Sequence, residues 1–151
     1  KNPNEIYAAM WYRERRAWDW KESGKTSTLV WTTLQKLKCE ADGNAPRAVV
    51  LVENKERAME LYDTFLAYTK YNSLRVYVGH EQLHIDVQKS EIFMGVDILI
   101  STPKTMNKLF LLNGVSTAQL KIISIDDAGF LSQHSSYTAL MSIAQSIQKC
   151  P

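Results

Sequence analysis

A chain of 151 residues with 45% hydrophobic content can bury one sizeable core, and nothing in it suggests a second domain. Its 18 basic and 16 acidic side chains leave a formal charge of +2, too little to indicate nucleic-acid binding by itself, so any such argument rests on local placement. Cys39 and Cys150 stand far apart, which indicates neither a disulfide framework nor a zinc site, and with no signal peptide or membrane-length apolar run the expectation is an intracellular, cytoplasmic protein with free thiols and no membrane partner.

The first predicted element is a helix over residues 3–16. It leads to Glu22-Ser23-Gly24-Lys25-Thr26, which looks like the end of a Walker A loop opening a helix over residues 25–38. A triphosphate needs these residue types. Backbone N–H groups of a glycine-bearing loop and the positive end of the helix face one anion, a lysine reaches the outer phosphates, and the next hydroxyl ligates magnesium. Ser23, Gly24, Lys25, Thr26 and Ser27 are therefore candidate nucleotide contacts, with Lys25 as the catalytic cation and Thr26 as a magnesium ligand. The full pattern asks for glycine at position 19, where Asp19 stands, and Glu22 places a second carboxylate beside the loop. Taken alone, Gly24-Lys25-Thr26 reads more simply as a helix start capped by Ser23.

A phosphate loop also needs a strand to feed it, yet residues 13–21 carry charges where an apolar strand should be. Three explanations stay open: the strand is lost, the segment extends the preceding helix, or residues are missing from the sequence between Arg16 and Glu22, which would also explain the absent glycine.

After a loop over residues 41–46, strands at 48–52, 74–78, 97–101 and 121–125 alternate with helices at 55–71, 82–93, 103–112 and 135–148. Strands separated by helices imply parallel pairing, right-handed crossovers and a sheet covered on both faces. The last strand delivers Asp126 at its carboxyl end, where open α/β sheets bind ligands. Asp126 is a candidate magnesium ligand, and Asp127 a candidate for orienting or deprotonating the attacking water. Alone, Asp126-Asp127-Ala128-Gly129 reads as a polar turn; its order after the lysine-threonine segment favours the catalytic reading.

The segments between these two motifs add a resemblance. Glu53-Asn54-Lys55-Glu56-Arg57-Ala58 follows a strand as P-T-R-E-L-A does in the DEAD-box RNA helicases; Val78-Gly79 is similar to the family's double glycine; Thr102-Pro103-Lys104-Thr105 resembles T-P-G-R; and Asp126-Asp127-Ala128-Gly129 stands where D-E-A-D stands. From about Gly24 onward the chain resembles the first RecA-like domain of that family. The resemblance implies a three-layer α/β/α P-loop NTPase fold with a mainly parallel sheet over residues 1–151, using ATP and magnesium. It also implies RNA, single-stranded or duplex and without sequence preference, along Asn54, Lys55, Gly79, Thr102, Pro103 and Lys104. The chain stops just before the family's S-A-T segment, so a fragment is expected whose hydrolysis needs the second RecA-like domain of the same protein and which is nearly inactive alone.

Every motif departs from its pattern. Lys55 and Lys104 keep charge but lose the arginine fork, Asp127 is one methylene shorter than glutamate, and Gly129 removes the final carboxylate. An alternative is therefore a catalytically eroded helicase-fold module that binds RNA or a protein partner. A small kinase is argued against by Thr102-Pro103. His80 and His84 have metal-like spacing without a third ligand nearby and read as surface or packing residues. Trp11, Trp18, Trp20 and Trp31 read as core more readily than as base-stacking residues, and Arg13, Arg15 and Arg16 as a solvated face. Ser132, His134 and Asp126 supply the residue types of a hydrolase triad but lack a nucleophile elbow.

Overall fold

The protein is seen in a computed structural model that describes residues 7–15, 17–22 and 26–126. One mixed six-stranded sheet has the order β2-β1-β6-β3-β5-β4. Its strands are β1 Tyr7–Tyr12, β2 Ala17–Glu22, β3 Ala48–Leu51, β4 Val76–Gly79, β5 Ile98–Ser101 and β6 Ile122–Asp126. The helices among the described residues are α1 Thr26–Lys36, α2 Lys55–Thr69, α3 Ile85–Phe93 and α4 Pro103–Leu111. The helix expected over residues 135–148 lies outside the described residues.

Strands β3 to β6 pair in parallel, with Ala48 opposite both Ile98 and Ile122. Side chains alternate across a strand, so each strand feeds two cores. Val49, Leu51, Leu99, Ile123 and Ile125 pack with Ile92 of α3 and with Met106 and Leu109 of α4. On the other face Ala48, Val50, Ile98, Ile100 and Ile122 pack with Leu29, Val30 and Leu34 of α1 and with Ala58, Leu61 and Phe65 of α2. The result is three layers, α/β/α. Full burial of a Leu or Phe is worth about 1.5–3 kcal/mol relative to exposure, so both faces contribute substantially.

The connections follow one hand. From β3 the chain moves to the far edge at β4 with α2 on one face, then returns through β5 to β6 with α3 and α4 on the opposite face. Direction and face reverse together, as a single right-handed crossover rule requires.

The N-terminal region corrects the helix expected over residues 3–16: its described part is strand β1, followed by a turn at Arg13–Arg15. Tyr-Ala-Ala-Met-Trp-Tyr is a continuous apolar run, and such a run suits a strand with neighbours on both sides as well as it suits a buried helix. Strand β1 has those neighbours, pairing antiparallel with β2 and with β6. The strand feeding the loop is neither lost nor turned into helix. It is β2, at the edge of the sheet, where Ala-Trp-Asp-Trp-Lys-Glu needs only alternation and tolerates charge.

The amino-terminal edge of the parallel strands is held by Asp97, whose side chain is fully buried. Arg47 Nη2 donates to Oδ1 at 2.9 Å, Arg75 Nε to Oδ2 at 2.9 Å, and the backbone N–H groups of Arg75 and Asp42 also donate to the carboxylate. Burial pushes this carboxyl up, and the hydrogen bonds from Arg75 and Arg47 outweigh burial and hold it below its ordinary range.

Candidate functional site at the carboxyl edge of the sheet

Parallel strands deliver their carboxyl ends to one edge, and β2 ends there too, because it is antiparallel to β1 as β1 is to β6. Lys21 pairs with Ala8 and Ala8 pairs with Asp126, so the approach to the loop and the end of β6 share one row of the sheet. With β1 between them, the two backbones stand roughly 10 Å apart at about 4.8 Å per strand. Ser23, Gly24, Lys25 and Asp127 lie outside the described residues. Thr26 and Ser27 open α1 just beyond that row.

Asp126 is buried on the face covered by α1 and α2, its side chain 3% exposed. Arg57 holds both of its oxygens, with Nε donating to Oδ2 at 2.6 Å and Nη2 to Oδ1 at 3.2 Å. Arg57 is itself fixed: Asn54 caps α2 by accepting the Arg57 backbone N–H at 2.9 Å, and Glu60, on the next turn, accepts from Nη1 at 2.9 Å. Hydrogen bonding to Asp126 is the main cause that raises the Arg57 pKa above its ordinary value. A carboxylate this buried needs a compensating charge, and the guanidinium supplies one in bidentate geometry. As arranged, the Asp126 carboxylate does not fit a magnesium ion unless Arg57 releases it.

The residues expected along RNA gather on the same edge. Asn54 and Lys55 begin α2, Gly79 ends β4, and Thr102, Pro103 and Lys104 begin α4 after β5. The side chains of Asn54, Lys55 and Thr102 already have partners within the chain. Lys55 Nζ donates to Gln82 Oε1 at 2.8 Å, and the Thr102 hydroxyl donates to Glu81 Oε1. Thr102 is 3% exposed and also caps α4 by accepting the Thr105 backbone N–H. Gly79 is buried, and a Cβ there would meet Gln88 Oε1 at 3.0 Å and Ser101 Oγ at 3.2 Å, so the space it leaves is used by its own fold. Lys104 is exposed.

The loop after β4 ties these contacts together. Buried Gln88 accepts from the His80 N–H at 3.2 Å and donates to the carbonyls of His80 and Leu83 at 2.9 and 2.8 Å. Both histidines act as local caps, His80 Nδ1 accepting from Gln82 N–H and His84 Nδ1 from Asp86 N–H. Each ring thus serves its own turn. Trp11 belongs to the core, whereas Trp31 is 58% exposed on α1. No helix among the described residues is long and apolar enough to cross a membrane.

Sequence reasoning missed Arg57, Glu81, Gln82 and Gln88. A signal existed for one of them, since Arg57 occupies the leucine position of P-T-R-E-L-A. The other three act through loop geometry that no short pattern specifies.

Comparison with known proteins agrees with this architecture. The DEAD/DEAH box helicase family model matches residues 23–151. Among similar proteins, ddx42 of Dictyostelium discoideum is 26% identical over 109 residues, covering 70% of this chain and 11% of the relative. DBP10 of Meyerozyma guilliermondii is 30% identical over 108 residues, covering 70% of this chain and 12% of its own length. DBP9 of Cryptococcus neoformans var. neoformans is 30% identical over 118 residues, 72% of this chain and 19% of the relative. DBP10 and DBP9 are named ATP-dependent RNA helicases. The chain thus spans under a fifth of the length of these relatives.

Proposed function

The chain belongs to the DEAD/DEAH box helicase family, and from that premise we propose that it is the N-terminal RecA-like domain of an ATP-dependent RNA helicase, binding ATP and RNA along the carboxyl edge of its sheet. One observation carries the proposal: the start of α1 after β2, the end of β6 at Asp126, and the turns opening α2 and α4 all face that edge. Ser23, Gly24, Lys25, Thr26 and Ser27 are assigned to the nucleotide, Lys25 to its outer phosphates, and Lys55, Thr102 and Lys104 to the RNA backbone. Thr26 and Asp126 are the family-pattern positions for magnesium, and Asp127 for the attacking water. Turnover would need a second RecA-like domain to stabilise the transferring phosphate.

A second reading has its own support. The Arg57 hold on Asp126 and the Glu81 contact to Thr102 favour a module that keeps the helicase fold and binds RNA or a protein partner without hydrolysis. NMR separates the two at their first step. Addition of ATP or ADP is expected to shift the amides of residues 23–27, and Lys25→Ala is expected to remove most of that response. A folded domain that shows no response at millimolar nucleotide would overturn the ATP-binding assignment.

A further inference from the structure

We propose that Arg57 takes the place of a divalent cation at Asp126, so that this domain binds nucleotide with little dependence on magnesium. The proposal rests on the nucleotide-binding reading above and goes beyond it, because it changes what the site requires.

Asp126 ends β6 with its side chain 3% exposed, so its ionised form needs a cation nearby. In a magnesium site the ion meets that need. Here the guanidinium meets it, and it does so with Nε and Nη2 on the two different oxygens, the fork geometry that suits a carboxylate. The arrangement is built into the helix start. Asn54 fixes the Arg57 backbone through the N-cap, and Glu60 draws Nη1 from the following turn. Leucine, which the helicase pattern has at this position, would leave Asp126 without a compensating charge and open to a metal. An ion approaching Asp126 here must displace a bidentate hydrogen-bonded cation and then sit beside it, with like charges at close range.

Two measurements on this chain test the proposal. Manganese(II), a paramagnetic divalent probe, is titrated into the isotope-labelled protein while the amides of residues 123–126 are followed. The parent is expected to show no selective broadening there; Arg57→Leu is expected to show it and to lose it again on adding Asp126→Asn. A fluorescent ADP analogue is then titrated in EDTA and in magnesium. The parent affinity is expected to differ by no more than about twofold, whereas Arg57→Leu should bind about tenfold or more tightly with the metal. Selective manganese broadening at Asp126 in the parent, or a tenfold magnesium effect on the parent, would overturn the proposal. Failure of any nucleotide to bind would sink the ATP-binding reading instead, and the manganese titration would still decide the clamp. If Arg57→Leu does not fold, the parent measurements remain decisive, and Arg57→Lys, which keeps charge without the fork, is expected to show weak broadening.

Discussion

Glu81 is the side chain that most alters the expected nucleic-acid edge. It receives the Thr102 hydroxyl, with Thr105 Oγ1 at 3.4 Å from the same oxygen, so a carboxylate occupies a position where the family resemblance implies a phosphate. Removing its charge should ease the approach of a polyanion. Glu81→Gln is expected to tighten binding of two unrelated single-stranded RNAs by a similar factor, about threefold to tenfold, because backbone contacts carry no base code. Lys55→Ala with Lys104→Ala should weaken both and flatten the salt dependence, since fewer counterions are released. Fluorescence anisotropy at two salt concentrations measures both effects. If neither change moves affinity or salt slope, RNA does not follow this edge, and the protein-partner reading gains. At this scale the sequence makes legible where Thr102 and Asp126 stand, just past β5 and at the end of β6. It was illegible where a residue's role depends on what the fold brings opposite it, as for Glu81.

At the scale of elements, strands β3 to β6 are legible within a residue or two because each is a short β-branched run between helical patterns. Strand β4 is shifted furthest, to Val76–Gly79, where Gly79 can pair with Ser101 although its sequence signal is that of a turn. The β1–β2 hairpin is not legible in the sequence because neighbours on both sides of β1 and an edge position for β2 are properties of the assembled sheet. Asp97 ties elements together at the opposite edge, joining the loop before β3 to the starts of β4 and β5. Its carboxyl is held below the ordinary range, so its contribution to stability is complete above the unfolded value near pH 4 and is lost as pH falls through the folded value. Urea unfolding across a pH series should therefore show the parent losing stability below about pH 4. Asp97→Asn should start about 3–5 kcal/mol lower at neutral pH, having left two arginines without their charge partner, and should lose less on acidification. An equally steep acid limb in the variant would place the linkage on other carboxylates.

For the molecule as a whole, alternation of strand and helix made the three-layer architecture legible, and four partial motifs in order made the family legible. Their erosion left the chemistry open. The sheet also fixes an order of events. Strand β1 near the start of the chain is hydrogen-bonded to β6 near the end of the described chain, with Ala8 opposite Asp126, and β6 is the strand that joins the hairpin to β3. Pairings this distant in sequence slow folding, because loop-closure entropy is lost before the contacts form. During synthesis, then, the apolar strand Tyr7–Tyr12 waits beside β2 alone until Ile122–Asp126 has emerged. A ribosome-bound chain ending before Ile122 should be digested rapidly at its amino-terminal hairpin, and one extending well past Asp126 should resist. Vulnerability of both to the same degree would mean that the hairpin gains its stability without β6. Of these two paired strands, the one made first would thus be secured only when the one made later arrives.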